Sequence, residues 1–421
     1  MEEGLTTLDA DAHVRGVCFK TGPPALVGVE LEWLVHDLVD PRRAVSPARV
    51  DRALEGLDAP PAFPGGSTFS REPGGQVELS SRPGPLTACL ADVAADTEVL
   101  RAALAAHGLA LGGWGLEPFL IRDRILDLPR YQAMEAHFDR GGPWGRRMMR
   151  CTAGLQINLD AGEEGAGAIT GWRRRWELAH RLGPVLVAAF ANSPIWRGRP
   201  TGWRSGRQAV WWRMDPSRTR PPAHGADPRA AWADYALDAA VLCIRSDEPQ
   251  SWNAPAGLTF RGWLDGAVPG LRPPTIEDLD YHLTTLFPPI RPRGWLELRM
   301  IDAQHGDEWV VAAAVSAALF DDPAAAEAAW AATEPLCEGA ALPSAHTWMR
   351  AARFGMSAPE FGKPAMACFA AAEQALSGSS EPLRNAVSAF IERYVARGRC
   401  PADDRLDALP SAPRELQEAW R

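Results

Sequence analysis

Lysine is almost absent from this chain of 421 residues, which contains only Lys20 and Lys363. The phosphate-binding loop G-x-x-x-x-G-K-[ST] needs a lysine beside its glycines, and no such segment occurs. Any contact with phosphate must therefore use arginine, backbone amides or a metal ion. With 53 acidic and 44 basic residues the net charge is −9, which repels nucleic-acid phosphates, so we expect no nucleic-acid partner.

Several common motifs are also missing. The seven cysteines are odd in number and form no C-x-x-C pair, which argues against a disulfide framework or a zinc ribbon and favours a reducing, cytoplasmic location. The absence of H-E-x-x-H and G-x-S-x-G excludes the commonest zinc proteases and serine hydrolases. The first residues do not resemble a secretory signal, and apolar runs such as 310–320 are shorter than the ~20 residues that span a bilayer. We expect no membrane association, and no protein partner is implied.

Apolar spacing predicts three helices. Residues 87–107 and 169–191 each carry an apolar stripe at helical intervals. Asp322 and Pro323 are typical of an N-cap and a first helical position, so a third helix is predicted from there to about residue 333. At roughly 150 residues per domain the length suggests two or three domains, but no repeat or low-complexity linker marks a boundary.

Four segments alternate between apolar and polar residues, as a strand with one buried face does. Their polar positions hold mainly carboxylates and amides: Glu30 and Glu32 in 29–35; Gln76, Glu78 and Ser80 in 76–80; Gln156 and Asn158 in 155–160; Glu297 and Arg299 in 295–301. A solvated face of an antiparallel sheet alternates in the same way. Four glutamates on one face would repel each other, however, and a divalent cation such as Mg²⁺, which prefers hard oxygen ligands, would relieve that repulsion.

The segments around these strands extend into longer motifs. In chain order they are Gly28–Glu32, Arg71–Ser80, Pro129–Met134, Met148–Asp160, Arg207-x-x-x-Trp211, Asp215-x-x-Arg218-Thr219 and Gly294–Arg299. The set, between about residues 28 and 304, resembles the glutamate-cysteine ligase family in the branch shared by plant and many bacterial enzymes. It is most similar to members that supply γ-glutamylcysteine for ergothioneine synthesis. The most specific motif is E-P-G-G-Q-x-E-L-S, in which Gly74–Gly75 is predicted to form a turn.

The resemblance implies an α+β fold of the glutamine-synthetase type, in which a curved antiparallel sheet forms a funnel covered by helices. We therefore predict one catalytic unit over 1–421, with a sheet-containing catalytic core at 26–305 and a mainly helical C-terminal cover at 306–421. The implied reaction converts ATP, glutamate and cysteine to γ-glutamylcysteine, ADP and phosphate through a γ-glutamyl phosphate.

The resemblance also implies roles for individual residues. It places ligands for Mg²⁺, or Mn²⁺, at Glu30, Glu32, Glu78, Gln156 and Glu297. Arg299 is expected to stabilise the transferring phosphoryl group, with Glu72 as a further catalytic residue; for Arg299 the alternative is an ion pair with Glu297. Arg150, Arg207, Arg218, Tyr131 and Trp211 are the expected substrate-binding residues, with solvated edges or core packing as the alternative.

Two other functions stay open at this point. A carboxylate-amine ligase of the same fold that uses another amine would carry the same motifs, since no residue is identified that reads a thiol. A non-catalytic, metabolite-binding relative is the second alternative. The complete set of matched carboxylates argues against it, because a degenerate relative would have lost several.

Overall fold

A computed structural model describes residues 4–57, 59, 62–165, 167–246, 251–409 and 420. In these residues the strands are β1 (Val27–Asp37), β2 (Thr68–Arg71), β3 (Val77–Ser80), β4 (Leu109–Gly112), β5 (Gly154–Asp160), β6 (Ile195–Trp196), β7 (Arg199–Pro200), β8 (Ile290–Pro292) and β9 (Trp295–Asp302). The helices are α1 (Thr7–Cys18), α2 (Pro47–Leu54), α3 (Leu86–Ala105), α4 (Pro129–Phe138), α5 (Trp144–Cys151), α6 (Trp172–Ala189), α7 (Gly206–Met214), α8 (Pro216–Thr219), α9 (Pro228–Asp238), α10 (Phe260–Leu264), α11 (Ile276–Leu283), α12 (Trp309–Asp321), α13 (Pro323–Thr333), α14 (Ala345–Phe354), α15 (Pro359–Ala375), α16 (Glu381–Arg393) and α17 (Pro401–Asp407). Single 3₁₀ turns occupy Asp139–Gly141, Glu334–Cys337, Gly355–Ser357, Leu376–Gly378 and Val395–Arg397.

One antiparallel sheet organises the molecule. Its strands lie in the order β2-β3-β1-β5-β9-β8, and β4 pairs with the second half of β1. Strands β6 and β7 form a separate two-stranded ribbon. The long strand β1 is central, because β3 pairs with one of its edges and β5 with the other. This arrangement confirms the predicted α+β class with an antiparallel sheet.

The alternation of the four predicted strands separates a dry face from a polar one. Val29, Leu31, Val77, Leu155 and Leu298 are all at most 3 % exposed, and helices α3, α6 and α12 pack on the sheet. Each buried aliphatic side chain stabilises the fold by about 1.5–3 kcal/mol. The opposite face carries the polar residues, so the apolar residues determine where the polar ones point.

The three predicted helices are present with small shifts in their ends, as α3, α6 and α13. Helix α13 begins at the predicted position, where the Asp322 side chain accepts a hydrogen bond from the Ala325 amide at 2.8 Å and Pro323 occupies the first turn. That bond satisfies an amide that the helix itself leaves unpaired. Helix α6 tolerates Pro184 in its interior and is buried along most of its length.

The part of the predicted helical cover that the structure describes contains helices α12–α17. Residues 410–419 and 421 of that prediction lie outside the described residues, and the division at 305/306 stays a prediction. Within the described ranges, no single helix is long and apolar enough to cross a bilayer; α12 with 323–337 meets the length and composition test only as a pair bent by 97°.

Candidate active site

The register of the sheet aligns the predicted polar residues in one band. Glu32 on β1 is paired with Glu78 on β3, and Glu30 on β1 is paired with Gln156 on β5. Strand β9 lies beyond β5 and carries Glu297. Because paired residues in neighbouring strands point to the same face, side chains that are far apart in sequence become neighbours.

A cavity of about 290 Å³ lies over this band. Of the predicted site residues, the structure brings the following to its wall: Glu30, Glu32, Glu72, Glu78, Tyr131, Gln156, Trp211 and Arg299. The wall is completed by Pro73, Gln76, Arg130, Met134, Met148, Met149, Thr152, Thr284, Phe287, Arg291 and Arg293. The cavity thus combines an acidic side, a basic side and an apolar wall.

The acidic side centres on Glu78. Its Oε1 accepts hydrogen bonds from the hydroxyls of Ser70 and Ser80, each at 3.1 Å. Burial, followed by the charges of Glu32 and Glu72, raises the pKa of Glu78 to about 8. Burial and the Glu32 charge likewise raise the pKa of Glu72 to about 7. These carboxylates are close enough to repel each other, and their charge is incompletely balanced by the protein.

Glu30 and Glu32 are oriented by hydrogen bonds rather than neutralised. Glu32 accepts from the Gly154 amide at 2.7 Å and from the Gln156 side-chain amide at 3.2 Å. Glu30 accepts from the Asn158 side-chain amide at 2.9 Å. Burial and the charge of Glu297 raise the pKa of Glu30. Neutral donors fix the positions of these oxygens but leave their negative charge in place.

The basic side consists of Arg291, Arg293 and Arg299 at the cavity wall; Glu297, which is completely buried and does not line the cavity, lies beneath them. Arg291 donates to its two oxygens, from Nε at 2.5 Å and from Nη2 at 3.0 Å, and Arg299 Nη1 donates to Oε2 at 2.9 Å. Burial alone would raise the pKa of Glu297, but Arg291 and Arg299 outweigh it and lower the pKa to about 2. Arg299 also donates to the side-chain oxygen of Gln156. Two acceptors therefore hold its guanidinium group at the cavity wall.

The metal assignment receives mixed support from this geometry. Among the described residues, no three His, Cys, Asp or Glu side chains are arranged to hold a metal ion. The oxygens of Gln156 and Glu297 already accept hydrogen bonds from arginine. The carboxylates of Glu30, Glu32 and Glu78 are a chemically suitable donor set, because hard oxygen ligands and unbalanced negative charge both favour Mg²⁺. The five-ligand site stays a prediction.

Arg218 does not line the cavity, so its expected contact with substrate stays a prediction. Its side chain is completely buried and donates from Nε to Asp215 at 2.7 Å and from Nη1 to the Thr285 carbonyl at 2.9 Å. Nη2 donates to the Ala240 carbonyl. All three guanidinium nitrogens are thus used within the fold. In the structure the motif Asp215-x-x-Arg218 joins three segments of chain.

Arg150 and Arg207 are likewise absent from the cavity wall. Arg150 Nε donates to Glu135 at 2.9 Å. Arg207 is 2 % exposed, and its Nη2 donates to the Arg299 carbonyl at 2.9 Å. Arg207 therefore supports the backbone of β9 through Nη2, while its Nε and Nη1 are buried without a hydrogen-bond partner among the described residues.

Three arginines at the cavity wall were missed in the sequence. Arg130 lies inside the matched segment Pro129–Met134, directly before Tyr131. Arg291 and Arg293 alternate on and beside β8, where Arg291 is paired with Glu297. For two of them the sequence contains a signal. Arg291 and Arg293 are two residues apart, just before the strand that carries Glu297, and residues two apart in a strand share a face.

The predicted Gly74–Gly75 turn is confirmed and explains how Glu72 reaches the acidic side. Gly75 has φ +83°, in the region that favours glycine. At Gly74 a Cβ would lie 2.2 Å from the Arg150 carbonyl oxygen, so the turn packs directly against backbone. The Glu72 amide donates to the Gln76 carbonyl at 2.9 Å, which closes the hairpin between β2 and β3.

The family described as Glutamate-cysteine ligase family 2 (GCS2) matches residues 26–421. The chain is 41 % identical over 420 residues to the glutamate-cysteine ligase EgtA of Mycolicibacterium smegmatis, covering 97 % of this chain and 94 % of that protein. It is 32 % identical over 267 residues to the chloroplastic glutamate-cysteine ligase of Medicago truncatula, covering 62 % and 51 %. A solved glutamate-cysteine ligase from Francisella tularensis in complex with AMP aligns with a TM-score of 0.47 and 12 % identity, covering 96 % and 90 %. The chain belongs to the glutamate-cysteine ligase family.

Proposed function

We propose that this protein uses ATP to join the γ-carboxylate of glutamate to the α-amine of cysteine, which gives γ-glutamylcysteine, ADP and phosphate. Family membership supports the ligase assignment. The observation that carries the chemistry is the division of one cavity into an acidic side, centred on Glu78, and a basic side, centred on Arg299. A reaction between a polyphosphate and a carboxylate needs both cation binding and anion stabilisation.

The first step transfers a phosphoryl group. An oxygen of the glutamate γ-carboxylate attacks the terminal phosphorus of ATP, the bond to the β-phosphate oxygen breaks, and ADP leaves. Arg299 donates to the phosphoryl oxygens, and its bonds to Glu297 and Gln156 keep the guanidinium group aligned. Glu30, Glu32 and Glu78 would hold Mg²⁺, which neutralises charge on the phosphates when bound.

The second step forms the amide. The cysteine nitrogen attacks the acyl carbon of γ-glutamyl phosphate, phosphate leaves, and the nitrogen loses a proton. Glu72 is our candidate for the group that accepts this proton. It lies on the cavity wall beside the acidic cluster, at the turn fixed by Gly74 and Gly75. Neither Arg291 nor Arg299 donates a hydrogen bond to it in the described structure, in contrast to Glu297.

We assign recognition of the glutamate α-carboxylate to Arg130, because Arg150, Arg207 and Arg218 are absent from the cavity wall. Arg130 lines the cavity and donates from Nη1 to the Thr284 hydroxyl at 3.2 Å. Its guanidinium carbon lies 5.1 Å from the ring centre of Tyr281, within the distance of a cation–π contact. Tyr131 and Trp211 complete the substrate-binding set at the same wall.

Cysteine is the proposed acceptor because part of the wall is apolar and rich in sulfur. Met134, Met148, Met149 and Phe287 line the cavity and suit a small, polarisable thiol side chain. The resemblance to the branch that serves ergothioneine synthesis supports that destination for the product. All seven cysteines of the chain are free and buried, which agrees with the proposed location in a reducing cytoplasm.

Phosphate release from the purified protein tests this function. We expect release only when ATP, glutamate, Mg²⁺ and cysteine are all present, together with a product of the mass of γ-glutamylcysteine. Replacing cysteine by alanine or by 2-aminobutyrate, which lacks the thiol, should lower kcat/KM. Equal or higher kcat/KM with another amine would reassign the acceptor. Absence of transfer with every substrate pair would support a non-catalytic relative.

A further inference from the structure

A second cavity of about 340 Å³ lies between helices α6, α7 and α14. Segments 220–224 and 340–345 close its sides. It shares no lining residue with the candidate active site. Its volume is in the range of sites that enclose small molecules. The proposed ligase reaction makes no use of it.

The cavity has a buried hydrogen-bond acceptor in His180. This side chain is 1 % exposed, and its Nδ1 lies 2.9 Å from the Trp176 carbonyl oxygen. A carbonyl only accepts, so Nδ1 carries the proton and Nε2 carries a lone pair. Over the described part of the chain, Nε2 has no hydrogen-bond partner. Leaving a buried acceptor unpaired is unfavourable, and a ligand with a hydroxyl or N–H group would supply the missing hydrogen bond.

The walls of the cavity are flat and apolar. Trp212, Trp348 and Pro343 line it. Trp348 is held against helix α6 at Gly183, where a Cβ would lie only 1.9 Å from the indole ring. The glycine therefore admits the ring and sets its distance from α6. A planar aromatic group matches such a lining better than a flexible chain does.

The cavity also has a positively charged edge. Arg220 and His224 are both exposed and line it, and the Arg220 guanidinium carbon lies 5.1 Å from the ring centre of Trp212. Glu177 is the nearby acid, 3.7 Å from His224 Nε2. The Arg220 guanidinium group donates hydrogen bonds in a fork that matches a carboxylate, so this edge favours an anionic group.

We propose that this cavity is a second small-molecule site, which binds an aromatic carboxylate that carries a hydroxyl or ring N–H group. The carboxylate lies at Arg220, the ring lies between Trp212 and Trp348, and the hydroxyl or N–H donates to His180 Nε2. Both polar contacts are needed for selectivity. The hydrogen bond to His180 Nε2 favours aromatic acids that carry a donor over those that do not. The contact with Arg220 favours phenols that carry a carboxylate over neutral phenols.

Calorimetric titration of the full chain with three probes tests the site. We expect saturable binding of 4-hydroxyphenylacetate, and about fivefold weaker binding of 4-methoxyphenylacetate, which has no donor. The neutral 4-hydroxyphenylethanol should also bind more weakly, because it lacks the carboxylate. Absence of saturable binding by all three would show that the cavity holds only water. Equal affinities for the hydroxyl and methoxy compounds would remove His180 from the site.

Variants and competition complete the test. Arg220→Gln changes an exposed residue. It should weaken the binding of 4-hydroxyphenylacetate and leave the affinity for 4-hydroxyphenylethanol unchanged. Arg397→Gln, which also changes an exposed residue, is the control. His180→Leu should abolish the difference between the hydroxyl and methoxy compounds; if it does not fold, the probe pair alone decides. Saturating ATP and glutamate should leave the affinity unchanged. Displacement by them would place the compound in the active-site cavity and overturn the proposal.

Discussion

Replacing Glu78 with glutamine should stabilise the metal-free protein while it abolishes ligase activity. Glu78 lies among Glu32, Glu72 and Glu30, whose charges add to the effect of burial and raise its pKa to about 8. The ordinary pKa of a glutamate is 4.5. Ionised Glu78 therefore opposes folding, and glutamine keeps the shape and the hydrogen-bonding oxygen while it removes the charge.

The size of the effect depends on pH. Between pH 4.5 and about 8 the folded protein binds more protons at Glu78 than the unfolded chain does, so stability falls as pH rises through this window. At about 1.4 kcal/mol per tenfold change in proton affinity the full penalty is several kcal/mol. Side-chain relaxation and water reduce it, so we expect Glu78→Gln to gain about 2 kcal/mol at pH 8 and little at pH 5. For a chain of this size that is roughly 2–4 °C in Tm.

Thermal unfolding followed by circular dichroism, in chelator and then in Mg²⁺, measures this difference. Mg²⁺ should stabilise the natural protein and have less effect on Glu78→Gln. Glu327→Gln, on the exposed surface of α13, is the matched control and should change neither Tm nor activity. A Glu78→Gln protein that melts lower than the natural protein at pH 8, or a difference independent of pH, would refute the repulsion on which the reasoning rests.

Four further substitutions test other parts of the structure. Arg299→Lys keeps the charge but loses the second donor, so kcat should fall by about 10²–10³ with little change in metal affinity; an unchanged kcat would remove Arg299 from the phosphoryl site. Gly74→Ala places a Cβ against the Arg150 carbonyl and should destabilise the protein by about 2–4 kcal/mol in urea unfolding. Gly362→Ala, in helix α15 with nothing near its Cβ, should instead stabilise it by about 0.5–1 kcal/mol. Arg218→Ala should cost about 3–5 kcal/mol of stability, whereas a normal melting curve with a raised KM for glutamate would restore its contact with substrate.

The strands could be predicted because their alternation has a simple physical cause. Successive side chains of a strand point to opposite faces, so burial repeats every two residues. Leu31 therefore points to the buried face, and its neighbours Glu30 and Glu32 point to the other face. The hydrogen-bond register could not be predicted in the same way. That Glu32 lies opposite Glu78 depends on the turns and on packing across the sheet, which no single strand encodes.

The arginines could not be assigned from sequence for a different reason. Arg299 and Arg218 carry the same group, and only their surroundings separate them: Arg299 lines the cavity, whereas Arg218 is enclosed by Asp215 and two backbone carbonyls. Those carbonyls belong to distant segments. A sequence motif identifies the position of an arginine. The burial of that arginine and its hydrogen-bond partners are determined only in the folded chain.

The strand order also has a consequence for the synthesis of the protein. Strand β9 lies between β5 and β8, yet it is separated from β5 by more than a hundred residues of chain. While the ribosome is still making that intervening segment, β5 presents an unpaired edge and the glutamates of β1 have no Arg299 near them. The active site is therefore completed late, by long-range pairing, which is slow to form and open to aggregation. A chain that stops before residue 295 would retain Glu30, Glu32 and Glu78 and would lack both Glu297 and Arg299.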